Sequence, residues 1–396
     1  MLRAALPLAV ALAGGGLVAG QSTPPAGAQQ TSSVSAEQVR AATDRLGNLE
    51  FKIRSDAART VRRAPPEIAI PTLREAARSH SDGYVRFRAL VILSGFNDPR
   101  AGELMAAMLA DPNDRLRSAA YTWFEHHPNS SVVPKLIAAL AREESEFVRP
   151  SLTRALASHA QKDPAAQKAM IGLVMKGQAF FRSVVIEALG DYRAAYAIKP
   201  ILEVAGIDGP LQDDAALALG KIGDKSSLPV LAKLQQSAPR ESQPAVAAAI
   251  CLLGVNCTSH EPFIVKSLEF AIANPGFQEL LRGSANALAA LAGSGRESAL
   301  VTLIERGAPS RDPARAAMAL AIGTVALRNT PFLLKTLERE GLLDPATELL
   351  REAFDMLEED IEEEQFYADV RRAYWQNAEG SPGRRTTGTL ITRLEF

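Results

Sequence analysis

Two cysteines are the residues of this chain whose spacing most directly suggests a covalent bond. Cys251 and Cys257 are the only cysteines in the sequence, and the end of a predicted helix lies between them. Cα atoms at this separation across a helix end can come within the distance that a disulfide spans. The alternative is a small buried cysteine and an unrelated loop thiol. If the chain is exported to an oxidising compartment, we expect a local disulfide.

The histidines suggest little catalytic or metal-binding chemistry. Glu125, His126 and His127 form the one tight histidine-containing cluster, at the end of a predicted helix. This cluster has no cysteine and lacks the two histidines four residues apart that a helical zinc site uses. The sequence also has no glycine-rich phosphate loop and no serine nucleophile elbow. We therefore predict a chain that is not an enzyme, with no catalytic residue, cofactor or metal ion.

Charged residues are unevenly distributed although their totals balance. The chain has 44 basic and 45 acidic residues, which argues against a general nucleic-acid binder. Residues 341–369 contain eleven acidic residues and one basic residue, Arg351. This segment could attract a cation or a basic partner, but we interpret it as the solvated face of a terminal capping helix.

These side chains must be positioned by helices, because one helical pattern recurs along the chain. In residues 211–224, Leu211, Ala215 and Leu219 fall on one side of a helix, and Gly223 can end it with a positive φ. Ten copies of this pattern are separated by 30 to 38 residues, a period typical of stacked helix pairs. The copies start at Ile53, Val85, Leu116, Val148, Phe181, Leu211, Ser242, Leu280, Ala314 and Leu349.

The repeated pattern can be compared with a known family. Val-Arg-x-x-Ala-Ala-x-Ala-Leu-Gly-x-Ile-Gly-Asp, which residues 211–224 match nearly throughout, resembles the second helix of short bacterial HEAT repeats. Such repeats also occur in phycobilin-lyase-like proteins. The resemblance covers roughly residues 35–365 and implies an all-α solenoid of about ten stacked HEAT-like helix pairs.

The same resemblance bears on function, since the family consists mainly of adaptors and scaffolds with a minority of enzymes. We expect an exported scaffold that presents a concave surface to a protein partner. The alternatives are an enzyme of the chromophore-lyase-like kind and a structural spacer of the cell envelope.

Two sets of residues follow from the register of the repeat. Arginine recurs at the second position in five consecutive copies, where we interpret it as bonding an aspartate or carbonyl of the adjacent repeat rather than an acidic partner. These inter-repeat residues are Arg54, Arg86, Arg117, Arg149 and Arg182. Positions three, four and seven lie beside the buried stripe and would line the concave surface if the second helices face inward, as in the family. The candidate partner-binding residues are Arg59, Phe87, Arg88, Thr122, Arg154, Glu187 and Asn286.

The ends of the chain differ from the repeats. After Arg3, an uncharged apolar run interrupted by Pro7 predicts that residues 1–28 are a bacterial signal peptide rather than a membrane-spanning helix. Residues 29–34 are small and polar and predict a flexible linker before a repeat domain over 35–380. We expect residues 381–396 to be disordered. The expected location is the periplasm or the exterior, with a protein partner and no membrane association after cleavage.

Export can be tested directly. Mass spectrometry of the protein recovered from a bacterial envelope fraction should show a chain that starts at Gln21 or Gln29, because small-residue cleavage sites precede both. An intact Met1 on protein recovered from the cytosol would contradict the predicted signal peptide.

Overall fold

The described part of the chain is built from helices. The computed structural model describes residues 34–143, 145–357 and 360–396, and within these it contains α-helices and short 3-10 turns without strands. The predicted signal peptide and the linker up to residue 33 lie outside the described residues.

Ten helix pairs follow one another, and two further helices complete the described chain. In order, the helices are α1 (Ala36–Asp44), α2 (Phe51–Arg62), α3 (Pro66–Ser79), α4 (Gly83–Ser94), α5 (Ala101–Met108), α6 (Asp114–His126), α7 (Val133–Ala139), α8 (Arg149–His159), α9 (Pro164–Val174), α10 (Ala179–Asp191), α11 (Ile198–Ala205), α12 (Gln212–Ile222), α13 (Leu228–Ser237), α14 (Gln243–Leu252), α15 (Cys257–Ala273), α16 (Gln278–Gly293), α17 (Glu297–Gly307), α18 (Ala314–Arg328), α19 (Thr330–Thr336), α20 (Leu343–Leu357), α21 (Asp360–Gln376) and α22 (Pro382–Arg393). The even-numbered helices α2 to α20 coincide with the ten copies of the repeated pattern. The predicted all-α solenoid is confirmed.

The helix ends follow from local sequence. At α1, Ser35 and Gln38 bond each other's backbone amides, as the capping box predicts. At α9, the Asp163 side chain accepts bonds from two helical amides, and Pro164 takes a position that needs no amide. Gly223 ends α12 with a φ of 87°, a conformation that costs glycine little.

Successive second helices approach each other closely through small residues. A Cβ on Gly220 of α12 would lie 2.5 Å from the Cα of Ala249 in α14. One repeat earlier, a Cβ on Gly190 of α10 would lie 2.8 Å from the Cα of Ala218 in α12. The glycine of the repeated Ala-Leu-Gly pattern is therefore needed for backbone-to-backbone packing.

The arginine ladder crosses between repeats at three of its five positions. Arg86 of α4 donates to Asp111 in the next repeat at 2.5 Å. Arg117 of α6 donates to Glu143, again one repeat on, at 2.6 Å. Arg149 of α8 lies over the ring of Phe181 in the following repeat, 4.7 Å from its centroid. Arg86 and Arg117 thus contact acidic side chains of the adjacent repeat, as expected, whereas Arg149 contacts a ring of the next repeat and bonds the Glu143 carbonyl of its own repeat.

The two remaining ladder residues bond within their own repeats. Arg54 donates to the backbone carbonyls of Asn48 and Leu49, just before α2. Arg182 donates to the carbonyl of Val174, at the end of α9. Both arginines fix the loop that precedes their helix, so the expectation of an inter-repeat contact is wrong for this pair.

Buried apolar side chains of the described residues form two clusters that meet at α14. Val246, Ala249 and Ile250 belong to the cluster of the preceding repeats. On the same helix, Ala247 and Cys251 belong to the cluster of the following repeats. The predicted disulfide between Cys251 and Cys257 is present, with an S–S distance of 2.08 Å, so it joins α14 to α15 where the clusters meet.

The C-terminal tail is ordered, contrary to expectation. Residues 382–393 form α22, capped by the Ser381 side chain, and Leu390 and Phe396 are buried. The alternation of Leu390, Thr392 and Leu394 therefore belongs to a helix rather than to an extended or disordered tail. Within the described residues, no single helix is long and apolar enough to cross a membrane, and α18 and α19 meet that test only together, bent by 117°.

A glycine substitution tests the packing of the second helices. Gly220→Ala should destabilise the protein by roughly 1–3 kcal/mol, because the new methyl group meets backbone atoms of α14. Gly172→Ala in α9 is the control, since a Cβ there meets nothing within 4 Å and alanine favours a helix. Denaturant unfolding that gave both variants the same midpoint would contradict the proposed close approach.

Candidate functional site

The concave side of the repeats encloses a cavity of about 1090 Å³. Its walls come from α6, α8, α10, α12, α14, α16 and α18, and Gln365 of α21 contributes on another side. Exposed polar side chains such as Glu187, Arg193 and Asn286 line it together with backbone and small apolar residues. The second helices therefore face inward, as the resemblance implied.

A chain of ion pairs runs along one wall of this cavity. Arg154 of α8 donates to Glu125 at 2.9 Å and to Asp191 at 3.0 Å. Lys221 of α12 donates to Asp191 at 2.7 Å, and Tyr192 donates to Glu125 at 2.8 Å. These bonds link four successive repeats, α6 to α12, through their inward-facing side chains.

The electrostatics of this wall favour the charged forms. Burial opposes ionisation of Asp191, but Lys221 and Arg154 outweigh it and lower the pKa of Asp191 to about 2. Burial likewise works against the charge on Arg154, and Glu125 and Asp191 outweigh it, so the pKa of Arg154 is raised. Arg154 and Asp191 therefore hold each other in their charged forms near neutral pH.

Glu125, His126 and Glu362 come together although Glu362 is far away in sequence. One potential ligand atom from each residue lies within 4.8 Å of the others. Arg154 bonds Glu125, however, and Arg328 lies 3.5 Å from the same carboxylate. Burial opposes the charge on Glu362, but His126 and Arg328 outweigh it and lower its pKa. The chain's own cations therefore compensate both carboxylates, which is the arrangement of an ion-pair network.

The acidic segment that follows the repeats lies against the first three of them. The inward-facing surface of α2, α4 and α6 forms a groove, called here the N-terminal groove, and α21 lies in it. Glu364 of α21 pairs with Arg62 of α2 at 2.7 Å, and both side chains are buried. Asp360 pairs with Arg88 of α4. The expectation of a solvated acidic face is therefore wrong for this part of α21.

Further contacts extend this interface. Glu362 lies 3.8 Å from His126 of α6. Beyond α22, Glu395 pairs with Arg59 of α2 at 3.1 Å. We call the contacts of α21, α22 and the terminal residues with α2, α4 and α6 the seam, because it brings the last helices of the described chain against the first.

The three arginines that the sequence predicted to bind a partner protein already pair with acidic residues of this chain. Arg59 and Arg88 already bond acidic groups of the C-terminal segment. Arg154 already bonds Glu125 and Asp191. All three carry intramolecular partners, which one repeat pattern could not reveal because the partners lie elsewhere in sequence.

The other predicted residues divide into two groups. Phe87 and Thr122 are buried, so the expectation that they line an accessible concave surface is wrong. Phe87 belongs to the apolar cluster of the N-terminal repeats, and the guanidinium of Arg115 in the next repeat lies 5.8 Å from its ring centroid. Glu187 and Asn286 are exposed and line the cavity, where their partner-binding role stays a prediction.

Comparisons with known proteins bear on the repeats. Residues 39–123 match the family of HEAT repeats, and residues 211–237 match the family of PBS lyase HEAT-like repeats. No curated protein sequence matches the chain.

Solved structures of several helical proteins are similar to this chain. YibA from E. coli is 17% identical with a TM-score of 0.41, over 56% of this chain and 83% of that one. The complex of CpcE and CpcF of phycocyanin lyase from Nostoc sp. is 19% identical with a TM-score of 0.41, over 66% and 97%. Kap95p, from a complex with RanGDP, is 14% identical with a TM-score of 0.39, over 90% and 57%.

One carboxylate of the cavity wall predicts a pH dependence. Burial raises the pKa of Asp214 to about 6, although Ser183 donates a bond that opposes this rise. Since the folded pKa exceeds that of the unfolded chain, Asp214 costs stability increasingly as the pH rises through about 6. Asp214→Asn should therefore stabilise the protein more at pH 7.5 than at pH 4.5, by on the order of 1 kcal/mol.

The control for this prediction has the opposite sign. Burial opposes ionisation of Asp111, but its bond from Arg86 outweighs it and lowers the pKa, so Asp111 stabilises the fold at neutral pH and loses this effect as the pH falls. Asp111→Asn should destabilise the protein by a similar amount at pH 7.5 and pH 4.5, because Asp111 is ionised at both, and by less below pH ~4. Denaturant unfolding at both pH values separates the two, and a gain for Asp214→Asn that did not change with pH would contradict the assignment.

Proposed function

We propose that this chain, in which residues 39–123 and 211–237 match families of HEAT repeats, is an exported scaffold that binds a protein partner on its concave side. The observation that carries the proposal is the division of this side into two parts. The N-terminal groove is covered by α21, whereas the cavity wall at α10 to α16 exposes polar side chains such as Glu187 and Asn286. We call this second part the open face.

The size and lining of the cavity support a polypeptide as the occupant of the open face. Small-molecule pockets are usually ~300–1,000 Å³ and mostly apolar, with few polar groups. This cavity of about 1090 Å³ instead carries charged and amide side chains from several repeats, including Glu187, Arg193, Lys221 and Asn286. Contacts distributed over several repeats suit an extended segment of a protein.

Export is part of the proposal and is supported by two features. The apolar run after Arg3 has the composition of a secretory signal. The disulfide between Cys251 and Cys257 suits a compartment where such bonds persist, as in the bacterial periplasm.

Site-specific photo-crosslinking tests the scaffold role. The protein is expressed in its native bacterium with a photoreactive amino acid in place of Glu187 or Asn286. Because both positions are exposed on the open face, each should give a crosslinked band of one defined mass. The same residue at Glu203, exposed on outer helix α11, is the control. Mass spectrometry of the bands identifies the partner.

The outcome is decisive in either direction. A protein captured at both cavity positions and absent at Glu203 supports the scaffold. Equal patterns at all three positions, or no crosslinked band at the cavity positions, would contradict binding on the open face.

A further inference from the structure

We propose that the N-terminal groove binds an acidic helical segment of the partner protein, and that α21 occupies this groove as an internal stand-in in the free chain. The inference rests on the proposed function, since it assumes a protein partner. It concerns a different part of the concave side from the open face.

The first support is charge complementarity. Helices α2, α4 and α6 each place one basic side chain toward the groove: Arg62, Arg88 and His126, of which the histidine is a cation only when it is protonated. Each faces an acidic residue of α21, which are Glu364, Asp360 and Glu362 respectively. The groove therefore recognises a helix with carboxylates at alternate or i, i+4 positions, a pattern that another protein can supply.

The second support is the way α21 is attached. Phe366 and Val370 belong to the apolar cluster of the C-terminal repeats, and Phe366 packs against Phe354 of α20 with ring centroids 5.2 Å apart. Among the described residues of α21, Ile361 alone joins the apolar cluster of the N-terminal repeats. The helix is thus held to the C-terminal repeats by apolar packing and to the groove mainly by ion pairs.

The third support is an imperfect fit. The buried Nε of Arg59, Oε1 of Glu364 and Nη1 of Arg371 have no hydrogen-bond partner among the described residues. Arg371 approaches Glu364 only to 3.6 Å, beyond hydrogen-bond length. Glu364 and Arg371 belong to α21, so water would hydrate their unpartnered atoms once α21 left the groove, and burial of these atoms disfavours the closed arrangement.

The substitution of one glycine can open the seam without changing any charge. Gly95, which follows α4, lies so close to Glu364 that a Cβ there would be 2.8 Å from its Oε1 and 2.9 Å from its Cγ. Its φ of −73° is one that alanine also adopts. Gly95→Ala should therefore displace Glu364 and open the seam while leaving Arg62 and Arg88 in place.

The test uses the full chain and a fluorescent synthetic peptide of residues 360–376 as the acidic helix. Because a groove that is mostly closed weakens apparent affinity in proportion to its open fraction, Gly95→Ala should bind the peptide at least about tenfold more tightly than the unaltered protein. Asp360→Asn, which removes the charge of the partly exposed pair with Arg88, should act in the same direction. Fluorescence anisotropy measures both, and circular dichroism confirms that each variant is folded.

Two controls make the test specific. Gly172→Ala leaves the seam untouched and should bind the peptide as the unaltered protein does. Adding Arg88→Gln to Gly95→Ala should abolish the gain, although it also removes a seam contact, because the groove then lacks a cation. A peptide carrying Asp360→Asn, Glu362→Gln and Glu364→Gln should not bind either variant.

Several results would overturn the proposal. One is equal binding of the acidic and amide peptides, and another is no gain in either opened variant. A concentration-dependent dimer of Gly95→Ala in light scattering would assign the groove to a second copy of this chain instead. Crosslinking at Glu187 and Asn286 is read out independently, so the scaffold role can stand when this inference fails.

Discussion

The close approach of successive second helices is the constraint on which the rest of the structure depends. Backbones can meet as they do at Gly220 and Ala249 only where neither residue has a larger side chain. The same requirement holds one repeat earlier, at Gly190 and Ala218. The cavity lies on the inner side of these closely packed helices.

The seam is a different kind of contact from the stack. Neighbouring repeats are held together mainly by the packing of buried apolar side chains. In contrast, α21 contacts the groove through ion pairs such as Arg62–Glu364 and Arg88–Asp360. A buried ion pair gives up hydration that its Coulomb attraction only partly restores, so it adds specificity of position more than stability. The ion pairs consequently fix the position of α21, although few apolar contacts attach it to the groove.

The repeat architecture could be predicted from sequence because its determinants are local and recur. Leu219, Gly220 and Gly223 have fixed roles within one helix, and ten copies make the pattern unmistakable. The disulfide was predictable for the same reason, since Cys251 and Cys257 lie on either side of one helix end. Arg86 and Arg117 followed too, because their partners lie one repeat away.

The candidate site could not be predicted in this way, because its contacts join residues hundreds of positions apart. A single repeat indicates that Arg88 faces inward but not that Asp360 will lie against it. The acidic run after the repeats looked solvated because charged residues usually are, and only the closure of the stack buries Glu364. Alternation misled at Leu390 and Leu394, where two periods fit the same short segment and packing against α21 selects the helix.

The N-terminal and C-terminal halves of the repeat array, each with its own apolar cluster, contact each other in two places. At α14 one helix contributes to both apolar clusters, and the Cys251–Cys257 bond ties its end to α15. At the seam the halves meet through charges, some of whose polar atoms lack partners. A change in the relative position of the halves therefore costs least at the seam, because breaking it exposes ions that water solvates well, whereas separation at α14 would expose apolar surface and strain a covalent bond. The groove is consequently the part of the concave side whose accessibility the fold can alter without disturbing the stack.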